Sequence, residues 1–167
     1  DYAMTTSRAT GVIFIGQSSL HSAFNALAER DQRFVVWGAE FPDARYCSIG
    51  SDNVAGGRRA TAHLVRLGRE NVMFLGDIEA PEAEQRFRGY RQALEEAGLP
   101  VLKELDVPAH FDVHSAEAAT RSALDRGVAF DAIFAASDLI AIGAIRALTR
   151  AGLSVPGDVS VVGYDNI

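Results

Sequence analysis

The last third of the chain carries the pattern of a parallel α/β unit: a short apolar run, a helix-length segment and a second apolar run. The two runs cover residues 132–136 and 160–163, and each has the length of a buried strand. Gly152 ends the helical pattern between them, and Pro156 keeps it from resuming. Two strands joined by one helix in this way are expected to lie parallel in the same sheet.

The helix of this unit is predicted to begin directly after the first strand. Ser137 and Asp138 are both residue types that cap helix amino termini. Ala141, Ile145 and Leu148 follow at i, i+4 and i+7. This spacing predicts that the three side chains form the buried face of the helix.

The same alternation of apolar runs and helical patterns extends over the rest of the chain. Runs of strand length occupy residues 11–16, 34–38, 46–50, 71–76 and 101–107, and helical patterns occupy 20–30, 52–67, 84–97 and 115–126. The predicted fold class is α/β, with parallel sheets, helices on both faces and right-handed crossovers. A seam at residues 68–71 predicts two lobes, residues 1–69 and 70–167.

The charge balance argues against direct binding to nucleic acid or membrane. Sixteen Lys and Arg residues stand against 22 Asp and Glu, which gives a formal net charge of −6 and no basic cluster. No apolar run approaches the length that spans a bilayer. Cys47 is the only cysteine, so no internal disulfide is possible, and a reducing cytoplasm is the expected compartment.

Motifs that would indicate an enzyme are missing from the sequence. It has no phosphate-binding glycine loop, no nucleophile elbow and no paired cysteines. The four histidines have no metal-ligand spacing, and no pair of carboxylates is singled out for acid–base work. We therefore expect no catalytic site, no cofactor and no metal.

Polar side chains collect where the predicted strands end, the edge at which open α/β sheets bind ligands. The candidates are Gln17, Ser18, Glu40, Asp52, Asp77, Ser137, Asp138 and Asp165, with Arg86 opening a nearby helix and Phe111 on a loop. Carboxylates accept hydrogen bonds from hydroxyl groups, and an arginine grips a diol with two donors. An aromatic ring can cover the face of a sugar. This set predicts a neutral polyol ligand and disfavours a nucleotide.

Structural roles remain open for several of these residues. Asp52 and Asp138 are both placed to cap helices, which needs no ligand. Arg86 could form a surface ion pair with Glu82, four residues earlier on the same helix.

The order and spacing of several motifs resemble the effector-binding domain of the lactose/galactose-repressor family of bacterial transcription regulators. The resemblance runs from about Gly11 to Ile167. Its landmarks are Asp52-Asn53, Gly56-Gly57, His63-Leu64, Leu67-Gly68, residues 86–90, Ala93-Leu94, residues 131–144 and residues 152–166. Arg69 stands where the family usually has histidine, which we interpret as a surface change.

The resemblance implies a two-lobed, periplasmic-binding-protein-like fold of type I with a ligand in the cleft between lobes. Matched by position, the family's effector-contacting arginine falls on Arg86 and its aspartate on Asp165. Ser137 and Phe111 match two further pocket positions. Candidates for first-lobe contacts are Gln17, Glu82 and Asp52.

The resemblance also implies a function and partners. The intact protein is expected to be a homodimeric repressor that binds a small sugar-like effector and reads operator DNA through a helix-turn-helix headpiece outside these 167 residues. The chain is expected to be a sensor truncated at both ends, before the return crossover to the first lobe. Two alternatives stay open: an extracytoplasmic sugar-binding protein of a transport system, and a sugar-modifying enzyme.

Overall fold

Parallel strands alternate with helices along the chain, as the apolar runs predict. The computed structural model describes residues 10–16, 20–30 and 33–167. In chain order the elements are β1 Val12–Ile15, α1 His21–Ala28, β2 Phe34–Trp37, β3 Cys47–Ile49, α2 Asn53–Arg66, β4 Val72–Leu75, α3 Pro81–Glu96, β5 Asp106–Val107, α4 Val113–Asp125, β6 Ala132–Ala135, α5 Asp138–Arg150 and β7 Ser160–Val162. Neighbouring strands in both sheets run parallel. The predicted α/β class is confirmed.

The described residues fall into two compact units. The first contains the described residues up to Asp52 together with Ala80–Glu82, and the second contains Asn53–Glu79 and Ala83–Ile167. Helix α2 groups with the second unit, whereas the predicted seam would assign it to the first. The lobe boundaries 1–69 and 70–167 stay a prediction.

The first unit is built on a three-stranded sheet in the order β1-β2-β3. Its core is small: Phe24 of α1 packs with Val36 and Tyr46, and partly buried aromatic and alanine side chains surround them. The opposite side of the sheet is exposed. Its apolar side chains are Ile13, Ile15, Trp37 and Ile49, each at least 59% exposed; we call these four the open face. The run at 11–16 is therefore buried on one side only.

The second unit has a four-stranded sheet in the order β5-β4-β6-β7. All residues of the two central strands, β4 and β6, are buried. Strands of a parallel sheet that is covered on both faces read as continuous apolar runs, which explains the sequence pattern here. Phe74 and Phe134 pair across the two strands with ring centroids 5.6 Å apart. Tyr90 of α3 fixes its helix to β4, because its hydroxyl donates to the Val72 carbonyl at 2.8 Å.

Helices α2 and α3 touch backbone to backbone. A Cβ atom added at Gly89 would collide with the Val54 carbonyl and the Arg58 amide, and one added at Gly57 would collide with the Arg86 backbone. The glycines lower helix propensity, but they let the two helices approach to a distance that alanine would forbid. This close approach carries Arg86 of α3 past the start of α2.

Two details of the second unit differ from the sequence predictions. Residues 101–107 were expected to form a strand, yet a short 3-10 helix spans Lys103–Leu105 and only Asp106–Val107 pairs with β4. In α5 the buried residues include Ile140, Ala144 and Leu148, whereas Ile145 is exposed. The apolar residues surround more than one face of this helix, so periodicity alone did not fix the side that packs.

Arg69 is more than a surface change. Its Nη2 donates to the Pro156 carbonyl at 2.7 Å, and its Nε donates to Ser160 Oγ at 3.0 Å. The side chain thereby fastens the turn before β7 to the segment that follows α2. In the described part of the chain no helix has both the length and the apolar character to cross a bilayer.

Candidate functional site

The carboxyl ends of β6 and β7 lie side by side in the second unit, and the segments that follow them are joined. Residues 163–167, here named the Asp165 loop, follow β7. The amide of Asp138, at the start of α5, donates to the Tyr164 carbonyl of this loop at 2.8 Å. The adjacency of the two strands therefore brings Asp138 and Tyr164, 26 positions apart in the chain, into contact.

Arg86 reaches this edge from α3, and its guanidinium group is held on several sides. Its Nε donates to Asn53 Oδ1 at 2.9 Å, and its Nη1 donates to the carbonyl of Ala136. The Cζ atom lies 3.7 Å from the centroid of the Tyr164 ring. Its Nη2 lies 3.7 Å from Asp165 Oδ1. The structure thus places Arg86 and Asp165 together at the predicted edge.

The burial of Arg86 decides between two earlier interpretations. The residue is only 7% exposed, so a surface ion pair does not describe it. A buried guanidinium is costly unless its donors are bonded and its charge is balanced. Asn53, the Ala136 carbonyl and Asp165 supply those interactions, and they fix the plane of the group before any ligand arrives.

Two residues of this arrangement were missed by sequence reasoning. Asn53 is 2% exposed, and its Nδ2 also donates to Gln85 Oε1 at 3.1 Å. Tyr164 supplies the ring under the guanidinium and fills the space that a Cβ at Gly56 would need. The one signal for them was position, since Asn53 adjoins Asp52 and Tyr164 adjoins Asp165 in the motifs that carry the family resemblance.

Ser137 and Asp138 have different roles at the start of α5. Ser137 is the N-cap: its Oγ accepts from the Ile140 amide at 3.3 Å, as predicted. The expectation that Asp138 also caps the helix was wrong, because Asp138 is the first helical residue. Its Oδ2 accepts instead from the amide of Ile167 at 2.9 Å. A carboxylate in the first turn of a helix also interacts favourably with the helix dipole.

Asp165 is held in a backbone conformation that side chains other than glycine rarely adopt. Its φ angle is 111°, and that of Asn166 is 69°. Such conformations cost about 1–3 kcal/mol each and persist only where surrounding structure enforces them. Burial raises the pKa of the Asp165 carboxyl, the guanidinium of Arg86 lowers it, and the negative charge of Asp138 raises it further. The net direction is upward.

The raised pKa of Asp165 predicts that the stability of Asp165→Asn relative to the unmodified, ligand-free protein increases as pH rises, because asparagine cannot ionise. A carboxyl whose pKa is higher in the folded state loses stability as it ionises, so the cost is absent below the ordinary pKa of 3.8 and complete above the folded-state value. Unfolding by denaturant, measured for both proteins from pH 4 to pH 7, gives the difference directly.

A comparison with the unmodified protein at each pH is needed because other carboxyls act in the opposite direction. Backbone and side-chain hydrogen bonds from Ser154 lower the pKa of Asp158. That carboxyl contributes stability that is lost as pH falls. The interpretation of Asp165 is contradicted if the advantage of the asparagine variant shrinks as pH rises.

Of the remaining predicted residues, Phe111 lies at the other side of the same sheet. Phe111 is 39% exposed and lies between β5 and α4, next to the N-cap Asp112. Because β5 and β7 are the two outer strands, three strand spacings separate their ends, roughly 14 Å. Asp52 and Glu82 belong to the first unit, and Gln17 lies outside the described residues. A ligand role stays a prediction for each of the residues Arg86, Asp165, Ser137, Asp138, Phe111, Gln17, Glu82 and Asp52.

A metal site has no support in the described ranges, where no three His, Cys, Asp or Glu side chains cluster. His21 hydrogen-bonds Tyr46 and Asp43, and His110 hydrogen-bonds Asp77.

Comparisons with known proteins show which family the chain resembles. Residues 61–167 match the family described as periplasmic binding protein-like domain. The HTH-type transcriptional regulator CelR of Thermobifida fusca is 39% identical over 126 residues, covering 75% of this chain and 37% of that protein. The HTH-type transcriptional regulator DegA of Bacillus subtilis is 34% identical over 160 residues, covering 93% and 47%. The chain thus spans half or less of the length of these relatives.

Two solved structures with the same fold carry sugars. A complex of the transcriptional regulator CelR with cellobiose superposes with a TM-score of 0.85 at 32% identity, over 98% of this chain and 51% of that one. A LacI-family regulator from Enterococcus faecium with bound ribose gives 0.82 at 28% identity, over 98% and 61%. The chain belongs to the periplasmic binding protein-like family, and within it to the effector-binding domains of the lactose/galactose-repressor regulators.

Proposed function

We propose that the intact protein is a ligand-responsive transcription repressor and that Arg86 and Asp165 form the effector contact in this chain. The observation that carries the proposal is the position of the Arg86 guanidinium, whose Nη2 lies 3.7 Å from Asp165 Oδ1. An arginine donor and a carboxylate acceptor at this separation match adjacent hydroxyl groups of one ligand.

The charges at the edge favour a neutral effector. One guanidinium, that of Arg86, stands beside two carboxylates, those of Asp138 and Asp165. An anionic ligand such as a sugar phosphate would meet a net negative charge and lose hydration without adequate compensation. Two relatives of known structure hold cellobiose and ribose, both neutral sugars. We infer that the effector is a neutral sugar or related polyol.

The proposed mechanism is a shift between two conformations of a homodimer in the cytoplasm. Each subunit would carry a helix-turn-helix headpiece, so two headpieces would read the two halves of an operator. The sugar would change operator affinity only by the difference in its own affinity for the two conformations. No catalytic step belongs to this proposal. A transport-system binding protein is not favoured, because the curated relatives are helix-turn-helix regulators.

Two titrations of the intact protein test this proposal. Calorimetry with neutral mono- and disaccharides, sugar phosphates and nucleosides should find binding among the neutral sugars. Fluorescence anisotropy with operator DNA should then show that the same sugar changes DNA affinity by about 5- to 150-fold, the range of ordinary allosteric coupling. Binding confined to nucleosides or phosphates, or a bound sugar that leaves DNA affinity unchanged, contradicts it.

A further inference from the structure

Asp138 contacts the Asp165 loop at three points that enclose Asp165. Its backbone amide donates to the Tyr164 carbonyl at 2.8 Å, and its Oδ2 accepts from the Ile167 amide at 2.9 Å. Its Oδ1 occupies the space where a Cβ at Gly163 would stand. The side chain therefore touches the loop both before and after Asp165.

The residues between these contacts are the ones with unfavourable backbone angles. Asp165 and Asn166 both have positive φ, and the contacts at Tyr164 and Ile167 lie directly on either side of them. A left-handed conformation in two consecutive residues that are not glycine relaxes unless both ends of the segment are fixed. One of the two ends is fixed by the Asp138 side chain.

We propose that Asp138 is a positioning residue of the effector site: its carboxylate fixes the Asp165 loop so that Asp165 faces Arg86, and it does not contact the effector. This role replaces the ligand contact predicted for Asp138 from sequence, and it rests on the proposed function. Both carboxylate oxygens of Asp138 are directed at the loop: Oδ2 accepts from the Ile167 amide, and Oδ1 lies against Gly163.

Two substitutions distinguish a positioning role of the Asp138 side chain from a role of its negative charge. Asp138→Asn keeps an oxygen that can accept from the Ile167 amide and removes the charge. Asp138→Ala removes both. If Asp138 acts by holding the loop, Asp138→Asn should keep most of the loop order and effector binding that Asp138→Ala loses. If it contacts the effector through its charge, the two variants fail alike.

The first test needs no effector. Hydrogen exchange of the intact protein, followed by mass spectrometry of peptides that contain residues 160–167, should show faster exchange at the Ile167 amide in Asp138→Ala than in Asp138→Asn. Asp158→Ala is the matched control, because it removes a carboxylate that accepts from the Ser154 amide in a different turn. Unchanged exchange in Asp138→Ala overturns the positioning role, whatever the effector proves to be.

The second test uses the neutral sugar found by calorimetry. Loss of one hydrogen bond that orders the loop predicts about tenfold weaker binding for Asp138→Ala, and less than about threefold for Asp138→Asn and Asp158→Ala. Equal losses in both Asp138 variants, or none in either, overturn the inference. Failure of the wild-type protein to bind any neutral sugar would instead count against the proposed function, while the exchange result still decides the role of Asp138.

Discussion

Replacing Arg86 with alanine is expected to weaken effector binding at least 100-fold and to lower the free energy of unfolding by about 3–5 kcal/mol. The substitution removes the donor that we propose contacts the effector. It also leaves Asn53 Oδ1, the Ala136 carbonyl and the Asp165 carboxylate without the guanidinium that satisfies them. Isothermal titration with the effector and urea unfolding measure the two losses separately.

Arg88 provides the matched control on the same helix. It is exposed, and its Nε lies 3.4 Å from Oε1 of Glu84, one turn earlier on the helix. Within the described residues this is its one ion pair. An exposed pair of this kind contributes less than about 1 kcal/mol. Arg88→Ala should therefore bind the effector like the wild type. An Arg86→Ala protein that binds as tightly as Arg88→Ala would remove the basis of the proposed site.

Replacing Gly89 with alanine is expected to destabilise the protein by roughly 2–3 kcal/mol, although alanine is the better helix former by about 1 kcal/mol. The added methyl group would collide with the Val54 carbonyl and the Arg58 amide of α2. These are backbone atoms, so the helices must separate to admit it. Denaturant unfolding followed by circular dichroism gives the change.

Gln92→Ala controls for helix propensity, because Gln92 is exposed and lies on the same helix. Its effect should stay within about 0.5 kcal/mol of zero. The sign of the change in the free energy of unfolding on Gly89→Ala decides the matter. A more stable Gly89→Ala protein would show that α2 and α3 do not meet at this point. Since α3 carries Arg86, separation of the helices should also weaken effector binding.

The sequence allowed the fold class to be predicted because strands and helices leave periodic traces. The apolar runs at β4 and β6 mark strands buried on both faces, and Gly152 marks the end of a helix. The buried face of a helix was predicted less well than its position in the chain. Ile145 fits the helical spacing yet is exposed, because spacing shows which residues share a side and not which side packs.

The candidate site could be predicted only in part, because it depends on contacts between residues that are far apart in the sequence. Their position near strand ends placed Arg86 and Asp165 among the candidates, but only the family resemblance paired them as effector contacts, since nothing local in the sequence links residues 79 positions apart. Asn53 and Tyr164 were missed because their contacts with Arg86 exist only after α2, α3 and the loop after β7 have come together. Asp138 was assigned to a local role in capping, whereas its carboxylate acts across the fold.

The stability of the first unit depends on whether another surface packs against its open face. Ile15, Trp37 and Ile49 form one row across its three strands and stay in contact with water, while the core beneath holds few side chains. Burying apolar area contributes about 25 cal/mol per Å². A surface that packs over this row would therefore raise the free energy of unfolding of the first unit. Without such a surface, the first unit should be cut by proteases under conditions in which the second unit stays folded. A substitution in this row can therefore unfold the first unit without any change at Arg86 or Asp165.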